Sequence, residues 1–224
     1  MYRRLLKKLS EDKQRESDEY NYQVSKNIDT MIESINNIVG ESDDVIQREF
    51  KIDAQLKASL FFVDGLVFDA AIEEHIIKPL IYFTEINKEY STSALLDYLF
   101  TDVVTFIEIS VKETFDEAIL SLLSGETILV IDGVDKLILF ETRQFTQRGI
   151  EEPESEVIVR GPRDGFNEVL HTNVMLIRRR LRDPNLTVQF GQLGRRSKTD
   201  FAIVYIKGLR IKNSLRKCVI DSLV

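Results

Sequence analysis

The sequence is poor in the residues that build disulfides and metal sites. It has one cysteine, two histidines and no tryptophan in 224 residues. A single cysteine, Cys218, cannot form an internal disulfide, so a reducing compartment is expected. Two histidines and one cysteine also cannot supply a tetrahedral zinc site of the Cys/His type. We therefore expect neither a metal nor a cofactor.

Long apolar runs are also missing. The longest ones, "SLFFV" and "TILVI", stop at Asp64 and Asp132, whereas a membrane-spanning helix needs about 20 consecutive apolar residues. The first 20 residues carry charges on both sides of a very short apolar stretch, which does not fit a secretory signal peptide. The chain itself is expected to be soluble, and a membrane role would need a partner or a continuation.

The composition, 43% hydrophobic and 30% charged with only four prolines and ten glycines, is that of a folded protein. Segments with apolar residues at helical spacing alternate with short apolar runs that are typical of strands. This alternation predicts an α/β fold. Residues 1–20 are predicted to form a charged tail. Residues 21–105 and 106–224 are predicted to form two small mixed α/β subdomains, joined by a hinge near residues 100–112.

Three stretches carry the secondary-structure prediction. Apolar residues at 3.6-residue spacing between Val24 and Val39 predict a helix, and Gly40 is placed as its C-terminal cap. "TILVIDGVDKLILF" predicts a hairpin, because two apolar runs flank an Asp-Gly turn. A second helix is predicted after Asp69, with one apolar stripe facing inward: Ile72, Ile76, Ile77 and Leu80.

A possible internal repeat joins two distant parts of the chain. The apolar residues before Gly65 align with those before Gly208, a leucine follows each glycine, and the helical stripes after both can be superimposed. Glycine serves where the chain turns sharply away from a buried strand. The match favours two related α/β halves with a groove between them, although any strand–turn–helix unit shares these features.

Catalytic motifs are scarce. The sequence has no G-x-S-x-G nucleophile elbow. "GQLGRRSKT" is not a phosphate loop, because Ser197 stands before Lys198 where glycine is required, and a strand follows where a helix is required. Asp64 and Asp132 both end apolar strands and precede a glycine, which is typical of turn residues. The alternative is that both carboxylates line a ligand groove or a hydrolytic site.

Positive charge is concentrated in one segment of an acidic protein. Residues 160–198 contain nine basic and three acidic residues, whereas the whole chain has a net charge of −7. Arg160, Arg163, Arg195 and Arg196 are placed at strand ends. This concentration predicts a surface that binds phosphate, lipid headgroups or an acidic partner. Nucleic acid is not expected, because no aromatic residues alternate with these arginines and the chain is acidic.

A helical wheel divides the polar residues of this segment into two groups. It is built on the apolar stripe Phe166, Val169, Leu170, Val174, Ile177 and Leu181. Outside the stripe, Arg178, Arg179 and Arg182 are predicted to face solvent. Within it, Asn173 and Arg180 are predicted to be buried, and Arg180 should pair with an acid or with backbone carbonyls, since a buried guanidinium without acceptors is costly.

The same segment carries a family resemblance. "EEPESEVIVRGPRDGFNEVLHTNVMLIRRRLRDPNL", followed by "GRRSKTDFAIVYIKGL", resembles the A subunit of the GerA family of spore germination receptors, and the resemblance extends over about residues 40–224. It implies a subunit in the inner membrane of bacterial spores that works with B and C subunits and is triggered by nutrients. The chain resembles the soluble N-terminal region, without the membrane domain, and no enzymatic activity is implied.

Several interpretations of function remain open at this stage. The chain contributes to germination either by sensing the ligand or by coupling to and assembling with the B and C subunits or other A subunits. One alternative is a module that binds a small nutrient between the subdomains, with polar groups from the Asp64 and Asp132 turns. Another is an anion- or phosphate-binding module, and an anionic membrane surface is a further candidate partner of the basic segment.

Overall fold

The computed structural model describes residues 22–52, 56–82, 96–97, 100–101, 108–144 and 165–207. Within these ranges the chain forms a five-stranded antiparallel sheet and a separate two-stranded hairpin, together with helices. The predicted α/β class is confirmed. The predicted charged tail, residues 1–20, lies outside the described residues.

The elements follow one another in a simple order along the chain. The helices are α1 (Ile28–Val39), α2 (Asp69–Ile72, continued by a π-helical turn Glu73–Ile77 and by Lys78–Ile81), α3 (Phe115–Leu122) and α4 (Leu170–Arg180). The strands are β1 (Val45–Ile52), β2 (Leu56–Val63), β3 (Ile109–Lys112), β4 (Thr127–Ile131), β5 (Leu137–Phe140), β6 (Leu186–Leu193) and β7 (Thr199–Ile206). The larger sheet has the order β1-β2-β4-β5-β3, and β6 pairs with β7.

The five-stranded sheet separates two hydrophobic cores. On one face, alternate residues such as Phe61 and Ile128 pack with α1 and α3; on the other, Leu60 and Leu129 pack with α2. Because both faces are covered, every residue of β4 and β5 is buried, and these strands are continuous apolar runs rather than alternating ones. The predicted hairpin over "TILVIDGVDKLILF" is confirmed by the antiparallel pairing of β4 with β5.

The helices begin and end for local reasons. The Asn27 side chain accepts hydrogen bonds from the backbone N–H groups of Asp29 and Thr30, and Gly40 ends α1 at a φ of +69°. In α2 the predicted stripe is confirmed, since Ile72, Ile76, Ile77 and Leu80 are all buried. The helix continues past Pro79, and the π-helical turn ends two residues before this proline.

The position of the predicted subdomain boundary is wrong. Strands from both sides of residues 105 and 106 belong to one sheet, because β4 pairs with β2 and β3 pairs with β5. The segment predicted as a hinge therefore includes an edge strand of the main sheet, β3. The two sheets of the protein separate later in the chain, between Phe140 and Leu186. Below, residues 28–140 are called the core unit, and residues 170–207 are called the helix–hairpin unit.

The two segments of the suggested repeat occupy different settings. β2 lies inside the main sheet between β1 and β4, whereas β7 pairs with β6 in the hairpin. Residues 208–224, which would complete the second strand–turn–helix unit, lie outside the described residues. The repeat remains a prediction.

Candidate functional site

A buried ion pair connects the helix–hairpin unit to the core unit. Arg178 on α4 and Asp44, just before β1, have side chains that are 1% and 2% exposed. The contact is bidentate: Arg178 Nε donates to Asp44 Oδ2 at 2.6 Å, and Nη2 donates to Oδ1 at 3.0 Å. A guanidinium and a carboxylate match in this geometry, which makes it the strongest form of such a pair.

Each of the three guanidinium nitrogens has at least one acceptor. Arg178 Nη2 donates to the carbonyl oxygen of Leu186 at 2.8 Å and to Ser42 Oγ at 3.0 Å, while Nη1 donates to the carbonyl oxygen of Asp183 at 3.3 Å. Ser42 in turn donates to Asp44 Oδ1 at 2.6 Å. These partners allow a charge to be buried here, because a buried ion pair that lacked them would be costly.

Backbone hydrogen bonds extend the connection along β6. Asp43 N donates to the carbonyl oxygen of Val188 at 2.9 Å, and Val188 N donates to Ser42 Oγ at 2.8 Å. Phe190 N donates to Asp43 Oδ2 at 2.7 Å. The loop between α1 and β1 thus occupies the outer edge of β6. Ser42, Asp43, Asp44, Arg178 and Val188 are called the joint from here on.

A second contact lies beside the joint. His171 Nδ1 is 3.0 Å from Asp64 Oδ2, and the His171 ring stacks on Phe190 with a centroid distance of 4.8 Å. Asp64 N donates to the carbonyl oxygen of Asp44 at 2.8 Å, which ties this contact to the joint. Burial, together with the nearby Asp64 carboxylate, raises the pKa of Asp69 above its usual value.

Lys207, at the end of β7, makes a third contact. Its ammonium group lies directly over Gly40, at the C-terminal end of α1, where a cation complements the helix dipole. Lys207 N also donates to the carbonyl oxygen of Asn185 at 2.9 Å. The end of the hairpin is therefore held against both the core unit and the loop after α4.

The prediction of which arginine is buried was wrong. Arg178, predicted to face solvent, is the buried residue, and Arg180, predicted to be buried, is exposed. The cause is the start of the helix: α4 begins at Leu170, so Phe166 and Val169 lie before it and are 71% and 54% exposed. Without these two positions the apolar stripe rotates onto Val174, Met175 and Leu176, and Arg178 shares its face.

Asn173 is half-buried rather than buried. Its side-chain oxygen accepts a hydrogen bond from Asn167 N at 2.8 Å, and its amide nitrogen donates to the carbonyl oxygen of Asn167 at 2.7 Å. Both contacts are local, and they attach the segment before α4 to the first turns of the helix.

Asp64 and Asp132 do not line a common groove. β2 and β4 run antiparallel, with Phe61 opposite Ile128, so Asp64 and Asp132 lie at opposite ends of this strand pair, about 24 Å apart at 3.4 Å per residue. Asp132 instead accepts a hydrogen bond from Ile28 N at 3.3 Å, at the start of α1. This separation speaks against the alternative in which both carboxylates line one groove or one hydrolytic site.

The basic residues of the segment form two groups rather than one surface. Arg179 and Arg180 are exposed at the C-terminal end of α4, and Arg182 is exposed in the loop that follows, to which Lys207 is joined through its backbone bond to Asn185; these four residues are called the basic end. Arg195, Arg196 and Lys198 are exposed in the turn between β6 and β7 and are called the hairpin tip. Eight residues of β6 separate the groups, about 23 Å at the usual rise of a strand. Arg160 and Arg163 lie outside the described residues.

Sequence reasoning missed Ser42 and Asp44. "GESDD" reads as an ordinary loop between a helix and a strand, and nothing in its local pattern indicates that Asp44 is buried. The sequence could have indicated Asp44 only indirectly, because an arginine on the apolar face of α4 needs an acidic partner from another element.

In the described ranges, no group of three or more Cys, His, Asp and Glu side chains is arranged to hold a metal ion. No helix there is both long and apolar enough to cross a bilayer. The buried polar groups of the joint form hydrogen bonds and an ion pair with one another. This arrangement fits a connection between two units better than it fits a reaction centre.

Comparison with known proteins assigns the chain to a family. The model of the Bacillus/Clostridium GerA spore germination protein family matches residues 33–220, a range that contains the joint, the basic end and the hairpin tip. The chain belongs to the GerA family. The resemblance found in the sequence is thereby confirmed.

Relatives of this GerA-family chain are longer proteins. It is 33% identical over 195 residues to spore germination protein KA of Bacillus subtilis, covering 83% of this chain and 35% of that protein. It is also 24% identical over 209 residues to YfkQ of B. subtilis, named an uncharacterized membrane protein, covering 90% of this chain and 40% of that one. The chain thus spans about a third to two fifths of the length of these relatives.

The fold of the GerA-family chain has a solved counterpart. The crystal structure of the N-terminal domain of the A subunit of the Bacillus megaterium spore germinant receptor GerK3 matches with a TM-score of 0.70 and 24% sequence identity. The match covers 90% of this chain and 72% of that one. At this identity the likeness establishes the shared fold.

Proposed function

We propose that this chain is the N-terminal domain of the A subunit of a spore germinant receptor and that it acts in germination without catalysing a reaction. Membership of the GerA family and the fold shared with the GerK3 A-subunit domain support this role. The longer protein would be held in the inner membrane of the spore and would work with B and C subunits in the response to nutrients.

Within that role, the joint favours coupling over ligand capture. A domain that closes on a small molecule needs two parts that move apart at low cost. Here a bidentate buried ion pair joins the two units, and losing one partner of such a pair costs about 3–5 kcal/mol. A movement that drew Asp44 away while Arg178 stayed buried would carry such a cost and would be populated less than about one per cent of the time. We therefore propose that the domain moves as one body and passes the signal through its docking with partner subunits.

The rival function is a nutrient-binding module with its ligand between the two units. The groove proposed for it loses its main support, because Asp64 and Asp132 lie at opposite ends of the antiparallel pair β2 and β4. Calorimetry and small-angle scattering of the 224-residue chain with candidate amino acids and sugars separate the two functions. Coupling predicts neither heat nor a change of shape at millimolar ligand, whereas saturable heat with compaction would favour ligand capture.

A germination assay tests the proposed role itself. Spores whose full-length receptor carries Asp44→Asn are expected to lose optical density more slowly after nutrient addition than spores with the unaltered receptor. Glu113→Gln is the matched control, because it removes the same charge from an exposed ion pair with Lys136. Receptor level must be measured in parallel. A normal response from Asp44→Asn at a normal level would contradict the coupling role of the joint.

A further inference from the structure

Polar side chains join α4 to the core unit near both of its ends. Near the C-terminal end, Arg178 binds Asp44 in the joint. Near the N-terminal end, His171 Nδ1 lies 3.0 Å from Asp64 Oδ2, in the turn after β2. These two positions of α4 are about 10 Å apart along the helix axis at 1.5 Å per residue. Two contacts at this separation fix the direction of the helix, which a single contact would not.

The two contacts respond differently to pH. A guanidinium keeps its proton at every pH at which proteins are folded, so Arg178 stays charged. Histidine, in contrast, is the side chain whose charge changes between about pH 5 and 8. The His171 side chain is 63% exposed, so it can exchange a proton with water while it stays in contact with Asp64. The contact at His171 is therefore the one whose strength can change within this range.

The contact between His171 and Asp64 can form in both protonation states of the ring, and it is stronger in one of them. A neutral imidazole that carries its hydrogen on Nδ1 donates one hydrogen bond, here to Asp64 Oδ2. An imidazolium donates the same bond and also carries a positive charge. Because opposite charges at this distance attract each other even near a protein surface, protonation strengthens a contact that already has the geometry of a hydrogen bond.

The partners of His171 belong to the same network as the joint. The His171 ring stacks on Phe190 with a centroid distance of 4.8 Å, and Phe190 N donates to Asp43 Oδ2 at 2.7 Å. On the other side, Asp64 N donates to the carbonyl oxygen of Asp44 at 2.8 Å. A change in the strength of the contact between His171 and Asp64 therefore acts on the surface at which the two units meet.

The charged groups around His171 are mostly acidic. From the core unit and from the segment of His171 itself they are Asp43, Asp44, Asp64, Asp69, Glu168 and Arg178. The strand β6 contributes the uncharged ring of Phe190, and Asp44 and Arg178 neutralise each other as an ion pair. Burial, and after it the Asp64 carboxylate, raises the pKa of Asp69. The surroundings thus carry an excess of negative charge, which a positive charge on the ring would offset.

We propose that protonation of His171 tightens the connection between the core unit and the helix–hairpin unit, and that loss of this proton loosens it. Arg178 and Asp44 hold the units together throughout, while His171 adjusts the strength of the connection over the range in which histidine side chains titrate. Any use of this adjustment in germination rests on the proposed function, whereas the effect of pH is a property of this chain alone.

Hydrogen exchange of two backbone amides in the 224-residue chain tests this proposal. Val188 N donates to Ser42 Oγ and Phe190 N donates to Asp43 Oδ2, so both amides report on whether the units are joined. Their protection factors are compared at pH 5.5 and pH 8, after correction for the effect of pH on the exchange of an unstructured amide. Because an ion pair between partly exposed side chains is weak, protection should be about twofold to fivefold higher at pH 5.5. Equal protection at the two pH values would overturn the proposal.

The two histidines of the chain are replaced one at a time. His171→Gln keeps a hydrogen-bond donor but cannot take up a proton, so the gain in protection at pH 5.5 should disappear. His75→Gln is the matched control, because it removes the other histidine, in α2, by the same change, and the gain should remain. A gain that survives His171→Gln, or one that is lost in His75→Gln, would assign the pH effect to another group and overturn the proposal.

The variant Asp64→Asn tests the partner of the histidine. It removes the charge and keeps an oxygen acceptor, so the gain at pH 5.5 should be lost as in His171→Gln, and the double variant should lose nothing further. Circular dichroism at both pH values checks that each variant is folded. A gain that persists in folded Asp64→Asn would overturn the assignment to this contact. The exchange measurements need neither nutrient nor partner subunits, so their failure would leave the germination test of the proposed function untouched.

Discussion

The buried ion pair of the joint gives the sharpest prediction of stability. Asp44→Asn leaves the Arg178 guanidinium in a site where both side chains are at most 2% exposed. Only neutral acceptors remain for it: the amide oxygen of the new side chain, Ser42 Oγ and the carbonyl oxygens of Asp183 and Leu186. Removing one partner of a buried pair costs about 3–5 kcal/mol, a large share of the roughly 5–15 kcal/mol that stabilises a domain.

The measurement is the free energy of unfolding in urea, followed by circular dichroism, with the exposed-pair variant Glu113→Gln as control. Glu113 and Lys136 are 78% and 39% exposed and 3.3 Å apart, so the control should cost at most about 1 kcal/mol. In a double-mutant cycle, Asp44→Asn with Arg178→Met should cost less than the sum of the single changes, by about 2 kcal/mol. A cost for Asp44→Asn no larger than that of the control, or a coupling energy near zero, would refute the reasoning.

Two further predictions concern backbone strain and pH. Gly125 and Gly133 both have a positive φ, but only at Gly125 would an added Cβ lie 3.0 Å from a backbone oxygen, that of Leu66. In the same urea assay, Gly133→Ala should therefore lower the free energy of unfolding by about 1–2 kcal/mol, and Gly125→Ala should lower it clearly more. Equal losses would contradict the contact with Leu66. Burial raises the pKa of Glu141, an effect that Arg143 offsets only in part. The folded protein thus binds the proton of the Glu141 carboxyl more tightly than the unfolded chain does. The charged carboxylate therefore lowers stability at a pH above its pKa in the folded state and has no effect at a pH below its pKa in the unfolded state. Glu141→Gln should raise the melting temperature at about pH 7 and leave it unchanged at about pH 3, and a destabilised variant at about pH 7 would show that the ion pair with Arg143 outweighs the burial.

The features that the sequence predicts well are those recorded in a local pattern. The stripe of α2 and the runs that become β4 and β5 are visible because burial repeats at the period of the helix or the strand. The same holds for Gly40 at the end of α1, since the end of a helix is encoded in a few residues. These elements were found without knowing what they pack against.

The errors come from contacts between distant residues and from one helix start. Nothing near β3 indicates that it pairs with β5, and that pairing moves the subdomain boundary. Phe166 and Val169 have the spacing of helical core residues, yet they precede α4, so a wheel anchored on them is rotated. That rotation exchanged the roles of Arg178 and Arg180, and it concealed the partner of Arg178, which lies 134 positions earlier in the chain.

The polar character of the joint has a consequence for the proposed coupling. An apolar strand edge can dock in several registers, because a shift by two residues presents the same face again. Here the loop binds β6 at Val188 and Phe190 while Arg178 binds Asp44, so a shift along β6 would leave a buried charge without its partner. The joint therefore fixes how α4 and its basic end are turned relative to the core unit. Any contact that the helix–hairpin unit makes with another part of the receptor would then constrain the orientation of the whole domain, without any movement inside the domain.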